Sequence, residues 1–298
     1  MDLDVGTADG NVVTIKKAAD VAFERVTAKE IVIEDAASVE LAGATADKVT
    51  VTQTSGAVTD TAAQADIATT VAFGDATHTV GSVMLDDTKT LTLNGVNAAG
   101  AVTAKAGTSL TLDAAVEAGG DLALQGGTFT QNGNTLQGKN VTIDVTSETG
   151  ITTIDGNVTA TEGDILMQSA GGVQVSGSAT TLDASSGSIV AKGKSVSVKE
   201  ATLLASTASG EGIGLAATGT ADTDKVVVSD GAKFVADMVV VNAGAGGAEI
   251  GTTGERVTMG KTSGATDASL VIATDGAVKG RFDSANTPAS DVKIFKAK

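Results

Sequence analysis

The sequence predicts an all-β chain folded as a three-sided β-solenoid with about 20 residues per coil. Three observations support this fold class. Short segments place apolar residues at alternate positions, Gly-containing turns separate these segments, and the segments recur at a nearly constant spacing. The composition agrees, because the 298 residues include no Trp, no Tyr and only six Phe, although 42% of them are hydrophobic. Such a chain must build a narrow interior from Val, Ile, Leu and Ala.

The region from Lys89 to Val145 shows the pattern most clearly. It contains the segments KTLTLNG, TSLTLDA, GDLALQGG and KNVTIDV, each with two apolar residues separated by one polar or small residue. This period of two is typical of a half-buried strand. The apolar pairs are Leu91/Leu93, Leu110/Leu112, Leu122/Leu124 and Val141/Ile143. None of these strands is long enough to bury a core alone, so each is expected to stack on the strand of the previous coil.

The first strand is predicted in the segment NVVTI, and the same spacing then extends through the N-terminal part of the chain. Asp20–Glu34 has residues suited to a helix, but its apolar residues alternate, which favours strands. Successive apolar positions follow at intervals of 18, 18, 22, 20 and 19 residues, a length suited to three short strands and three turns: Ile15, Ile33, Val51, Phe73, Leu93 and Leu112.

The C-terminal half continues the pattern with looser spacing, and Gly or Asn marks nearly every turn. No linker divides the chain, so one continuous solenoid is predicted over residues 1–298, with less regular coils over 1–88 and a terminal coil over 270–298. At this period the chain would form about 15 coils. The alternative is a β-sandwich, or tandem sandwiches, which also consist of short strands and Gly-rich turns.

The charge of the chain bears on its partners. The formal net charge is -16, with 36 acidic and 20 basic residues. A field of this sign repels phosphates and anionic lipid, so neither nucleic acid nor a membrane is an expected partner. Carboxylate oxygens are ligands for calcium, so calcium is the one cofactor that the composition allows. No calcium-binding motif is present, and no metal ligand can be named. The absence of Cys excludes disulfides and thiolate metal sites.

No apolar run is long enough to span a membrane, so membrane insertion by this segment is not expected. The N-terminal residues MDLDVGTADG lack the basic and apolar regions of a signal peptide. If the protein is exported, the signal peptide is expected to be missing from this sequence.

Several stretches resemble catalytic or nucleotide-binding motifs but have the wrong spacing. Gly254–Thr262 and Gly187–Ser195 each place five residues between the two glycines of a phosphate-binding loop, which requires four. Gly244-Ala245-Gly246 suggests a dinucleotide fingerprint, but position 249 is Glu rather than Gly, and no helix is predicted to follow. No cofactor-binding residue is predicted.

Catalytic candidates are equally few. His78 is the only histidine and lies in the segment DATHTV beside Asp75, where a surface position is expected. Asp86 and Asp87 with Lys89 resemble part of a polysaccharide-processing site, but adjacent strand residues point to opposite faces. No catalytic residue is therefore predicted, and the chain is expected not to be an enzyme.

Threonine rows suggest a separate alternative. Thr50/Thr52/Thr54 and Thr88/Thr90/Thr92 would each place hydroxyl groups on one face of a strand. A flat threonine ladder on a solenoid can order water and bind ice. This function requires the rows to align from coil to coil, and Thr-x-Thr does not recur regularly in the sequence. The threonines are therefore attributed to their preference for exposed strands.

Residues 156–198, GNVTATEGDILMQSAGGVQVSGSATTLDASSGSIVAKGKSVSV, resemble the repeats of filamentous-haemagglutinin-type two-partner-secreted exoproteins and autotransporter passenger domains. The turn Gly280-Arg281-Phe282 resembles the terminal coils of such passengers. The resemblance implies a right-handed parallel β-helix that a Gram-negative cell exports and displays as an adhesin or scaffold. The Asn-Pro-Asn-Leu signature of the two-partner secretion domain is missing, so the export route stays open.

These observations lead to the expectation of a non-catalytic extracellular protein of a bacterial surface. It would act by adhesion, or by self-assembly into a fibre or surface array, with a second copy of the chain or a cell-surface ligand as partner. The alternatives are a polysaccharide-processing β-helix enzyme, a phage tail-fibre shaft and an ice-binding solenoid.

Overall fold

The computed structural model describes residues 2–6, 10–60, 70–206, 208, 212–229, 231–251, 257–261, 268–280 and 291–296. The chain divides into two compact units, Met1–Lys139 (unit 1) and Asn140–Lys298 (unit 2). Their described parts contain strands and no helix, and parallel strands stack in a β-solenoid with about 10 turns of about 22 residues each. The predicted fold class is confirmed, and the sandwich alternative is wrong. That the two units form one continuous solenoid over residues 1–298 stays a prediction.

The described residues of unit 1 form sixteen strands: β1 (Asp2–Gly6), β2 (Val12–Ile15), β3 (Asp20–Ala22), β4 (Arg25–Ala28), β5 (Glu30–Ala36), β6 (Ser38–Glu40), β7 (Ala44–Thr45), β8 (Lys48–Thr54), β9 (Ala57–Asp60), β10 (Thr70–Phe73), β11 (Ser82–Asp87), β12 (Thr90–Ala98), β13 (Val102–Leu112), β14 (Val116–Ala118), β15 (Leu122–Thr130) and β16 (Leu136–Gly138). The ambiguous segment Asp20–Glu34 forms the strands β3 and β4 and the start of β5, as favoured from its alternating pattern.

The register of unit 1 follows the predicted spacing at most steps. Ile15 lies opposite Ile33, Ile33 opposite Val51, and Val51 opposite Phe73. The predicted step from Phe73 to Leu93 is wrong. A register shift between Val71 and Phe73 places Val71 opposite Leu93 and Phe73 opposite Val96.

One corner of unit 1 is a column of glycines. The Gly81 amide donates to the Gly56 carbonyl oxygen at 3.0 Å, and the Gly100 amide donates to the Gly81 carbonyl oxygen at 2.6 Å. A Cβ atom on Gly81 would lie 2.4 Å from the Gly56 carbonyl oxygen. Successive turns approach too closely here for any side chain, so glycine is required.

In the part of unit 2 that the structure describes there are eighteen strands: β17 (Val141–Val145), β18 (Ile151–Ile154), β19 (Val158–Ala160), β20 (Ile165–Ser169), β21 (Gly172–Ser176), β22 (Thr181–Ala184), β23 (Ile189–Gly193), β24 (Ser195–Lys199), β25 (Thr202–Ala205), β26 (Gly212–Ala217), β27 (Val226–Ser229), β28 (Lys233–Val235), β29 (Met238–Asn242), β30 (Ala248–Ile250), β31 (Thr258–Gly260), β32 (Ser269–Thr274), β33 (Val278–Gly280) and β34 (Asp291–Lys296).

Each strand of unit 2 pairs in parallel mainly with the third strand after it, until the last turn, which confirms three sides. The first side consists of β17, β20, β23, β26, β29, β32 and β34. The second consists of β18, β21, β24, β27, β30 and β33, and the third of β19, β22, β25, β28 and β31.

The turns of unit 2 are longer than the predicted 20 residues. In unit 2, Val141, Ile165, Ile189 and Ile213 lie at equivalent positions of successive turns, 24 residues apart. The step from Val239 to Leu270 spans 31 residues. The solenoid has about 10 turns of about 22 residues, rather than the predicted 15 turns of about 20.

The interior is built from stacked aliphatic side chains, as the composition predicted. Ile31, Leu93 and Leu110 are 0% exposed, and Phe73, Phe129 and Phe234 are the largest fully buried side chains. The inward positions thus provide the hydrophobic core, and the outward positions are left to interact with solvent or partners.

Candidate functional site

The turn at Asp75–His78 is held together by several hydrogen bonds to one carboxylate. The Asp75 carboxylate accepts hydrogen bonds from the Thr77 amide at 2.7 Å, the Thr77 hydroxyl at 2.8 Å and the His78 amide at 2.8 Å. His78 Nδ1 lies 3.0 Å from both carboxylate oxygens. The Thr77 amide first, and then the His78 ring and the Thr77 hydroxyl, hold the pKa of Asp75 well below its ordinary value.

An open groove of about 250 Å³ lies beside this turn, lined by residues that include Asp75, Val96, Asn97 and Glu117. The Asn97 side-chain amide donates to the Asp75 carbonyl oxygen at 2.7 Å. His78 is exposed, as predicted. The carboxylate of Asp75 is occupied in closing its own turn, which is the ordinary role of Asp in turns.

The acidic pair Asp86 and Asp87 divides between two faces, as predicted. Asp86 points outward and lies 3.2 Å from Lys105. Asp87 points inward, is 1% exposed, and accepts a hydrogen bond from the Lys89 amide at 2.7 Å. Asp60 also occupies an interior position and is fully buried, which the sequence analysis missed although Val58 two residues earlier gives its face. Within the described ranges, no three acidic, His or Cys side chains come together as a metal site.

Ion pairs connect adjacent turns on the outer surface. Lys48 lies 2.8 Å from Glu30, and Lys225 lies 2.8 Å from Glu249. The hydrogen bond from Lys225 outweighs desolvation and lowers the pKa of Glu249, with a further contribution from Lys279. Each of these pairs neutralises part of the negative surface charge, and such pairs stabilise a fold only modestly.

The threonine rows differ from the prediction. Thr50, Thr52 and Thr54 do not share a face, because the alternation breaks at Gln53. Thr54 is buried and donates to the Gly56 carbonyl oxygen at 2.7 Å. Thr88 lies between β11 and β12, so only Thr90 and Thr92 of the second predicted row share the outer face of a strand.

These two residues nevertheless belong to a larger array. Thr90 and Thr92 lie opposite Ser109 and Thr111, which in turn lie opposite Thr128 and Thr130. Thr70 lies opposite Thr92 on the preceding turn. Hydroxyl-bearing residues thus align over three turns, although the middle row is Ser109-Leu110-Thr111 rather than the Thr-x-Thr considered in the sequence. We call this surface the threonine face, and it consists of Thr70, Thr90, Thr92, Ser109, Thr111, Thr128 and Thr130.

Unit 2 carries an outward surface of a different kind on its first side. Five residues at equivalent positions of successive turns form it: Leu166, Val190, Gly214, Val240 and Val271. All five are partly exposed, and an open notch of about 150 Å³ lies at Gly214 beside Val190, Met238 and Val240. We call this surface the aliphatic row. On the second side the equivalent outward positions are mostly polar: Thr153, Gln174, Ser197, Val227, Glu249 and Lys279.

The rejected nucleotide-binding motifs lead into strands. Gly244 and Gly246 lie in the turn before β30, and Gly187–Ser195 contains the whole of β23 and ends at the first residue of β24. Gly254–Arg256 and Thr262 of the first motif lie outside the described residues, as do Arg281 and Phe282 of the terminal turn.

No helix in the part of the chain that the structure describes is long and apolar enough to cross a membrane. Comparison with protein-family models, curated proteins and solved structures finds no match to this chain.

Proposed function

We propose that the chain is a non-catalytic structural protein of a bacterial surface, and that it acts by association with further copies of itself. The observation that supports this function is the aliphatic row, which places aliphatic side chains on the outside of four of five successive turns, with Gly214 on the middle turn. Apolar patches that are contiguous and partly exposed often mark interaction surfaces.

Burial of the row against a second solenoid would remove Leu166, Val190, Val240 and Val271 from water, which is favourable in proportion to the area covered. The notch at Gly214 gives space for a side chain of the partner. Since sheets pack face to face at about 10 Å, two such rows can interdigitate without change in either backbone.

Charge favours a second copy as the partner. Asp164 and Lys192 are exposed and lie on opposite sides of the row along the strand direction. When two rows face each other about a two-fold axis parallel to the stack of turns, each Lys192 lies near Asp164 of the other copy. The same surface is then used twice, as in isologous dimers.

The test is sedimentation velocity over a concentration series, with wild-type chain and the variant Val240→Lys. We expect the wild-type mass to rise with concentration and the variant to stay monomeric, because a charge in the row must be desolvated on association. Val227→Lys is the matched control, since Val227 is equally outward on the second side. We expect this control to associate like wild type.

Three results would contradict the proposal: a wild-type chain that stays monomeric, equal association of all three chains, or an SDS-resistant trimer, which would favour a fibre shaft. Calcium and chelator arms of the same series test whether carboxylates take part in association. Surface location is supported by the resemblance of residues 156–198, and detection of the protein by antibody on intact cells of its source tests it.

A further inference from the structure

The threonine face is a regular two-column array of hydroxyl groups on unit 1. Its columns run through Thr90, Ser109 and Thr128 and through Thr92, Thr111 and Thr130, and Thr70 extends the second column by one turn. Within the described residues, no charged side chain interrupts the columns from Thr70 to Thr130. On the other side of Thr70, the next outward position is Lys48, so the array ends there.

The spacing of this array is fixed by the fold. Parallel strands lie about 4.8 Å apart, and alternate residues of one strand lie about 6.6 Å apart. The residue between the two hydroxyls of each turn points inward and is buried, and these anchors are Leu91, Leu110 and Phe129. Threonine adds rigidity, because its branched side chain has few rotamers. The Ser109 hydroxyl also donates to Thr90 Oγ1 at 3.2 Å, which links two turns.

Such a surface is suited to a flat, periodic ligand. Each hydroxyl can donate and accept a hydrogen bond, while each threonine methyl group is a small apolar contact. The seven residues of the threonine face are Thr and Ser and carry no charge, which distinguishes this surface from sites for ions. Oxygen atoms on the surface of an ice crystal repeat in two directions at distances comparable to those of the array.

We propose that the threonine face binds ice. Water molecules held between neighbouring threonines would continue the lattice of the crystal, and the buried anchors Leu91, Leu110 and Phe129 hold the backbone that carries the hydroxyl groups. The array covers three full turns, so the expected activity is adsorption to ice and slower recrystallisation. This inference is independent of the aliphatic row, which lies in unit 2.

The test measures adsorption of fluorescently labelled chain to a growing ice hemisphere, together with recrystallisation of ice in a frozen sucrose solution. We expect wild type to adsorb and to slow crystal growth. Thr111→Tyr, in the centre of the array, should weaken recrystallisation inhibition at least tenfold, because the ring prevents close contact with a flat crystal. Thr111→Val, which keeps the shape and removes the hydroxyl, should cause a smaller loss.

Thr103→Tyr is the matched control. Thr103 lies on the same strand as Thr111, is exposed, and belongs to another side of the solenoid, between Met84 and Ala123. This variant should inhibit recrystallisation like wild type, and circular dichroism should show that all variants fold.

The proposal is overturned if wild type does not adsorb, if Thr111→Tyr equals wild type, or if Thr103→Tyr loses as much activity. Binding to crystalline chitin or cellulose that Thr111→Tyr abolishes, without adsorption to ice, would assign the face to a polysaccharide instead.

Discussion

The threonine face of unit 1 and the aliphatic row of unit 2 cover similar hydrophobic interiors but present different side chains to solvent. Behind the threonine face the inward residues are Leu91, Leu110 and Phe129, and behind the aliphatic row they include Ile189 and Ile213, all of them buried. The outward positions are hydroxyl-bearing in one case and aliphatic in the other. In each strand, packing thus determines the inward residue, whereas the adjacent outward residue is free to be selected for what it binds.

The largest effects are expected from the shared interior. Leu110→Ala and Leu215→Ala remove buried side chains beneath the threonine face and the aliphatic row, respectively. Each substitution should lower the free energy of unfolding by about 2–5 kcal/mol, because it leaves a cavity. Denaturant unfolding measures the loss. A loss well below this range in only one variant would show that the two interiors are not packed alike.

Glycine positions should show a smaller effect that depends on the place in the turn. Gly81→Ala should destabilise by about 1–3 kcal/mol, since the new Cβ would lie 2.4 Å from the Gly56 carbonyl oxygen. Gly214→Ala is the contrasting variant, because its Cβ would meet only Val190 methyl groups, at 3.7 and 4.0 Å.

Thermal and denaturant unfolding of both variants measure this difference. Gly214→Ala should unfold like wild type and partly fill the notch of the aliphatic row. Equal destabilisation of the two variants would contradict the distinction between a crowded corner and an open outer face.

The sequence predicted the inward positions of the solenoid better than the outward ones. The fold class and most register steps could be predicted, because inward Ile, Val and Leu must stack at a nearly constant period. The step at Phe73 could not, because a register shift leaves no signature in residue types.

The outer faces were predicted less well. Of the threonine face, only the row that contains Thr90 and Thr92 was identified from the sequence, because Ser109 stands at one position of the next row and other Thr-containing segments separate the rows. The aliphatic row was not predicted, because the turn lengths decide that Leu166, Val190 and Val240 align with one another on the same side. Successive residues of a strand point to opposite faces, so an inward valine differs from an outward one only in its position along the strand. The turns decide which of the two positions points inward.

The smallest effect on stability is expected on the second side of unit 2, where Lys225 pairs with Glu249. Since Lys225 lowers the pKa of Glu249 below its ordinary 4.5, the stabilisation is present above that pH and is lost as the pH falls through the lower folded value. Glu249→Gln should therefore lower stability by at most about 1 kcal/mol at pH 7, and by less at pH values near 3. Urea unfolding at several pH values checks this, and a difference independent of pH would contradict it.

The stacking of equivalent positions on successive turns is the central claim, and spin labels on paired cysteines test it most directly. The natural chain has no Cys, so each introduced pair is unique. Thr92→Cys with Thr111→Cys, and Leu166→Cys with Val190→Cys, place labels on residues that lie opposite each other. We expect strong dipolar broadening in both pairs, because adjacent strands are about 4.8 Å apart. Thr92→Cys with Thr103→Cys, on different sides, should show weaker broadening. Equal spectra for the facing pairs and this control would contradict the stacked register, and with it both proposed surfaces.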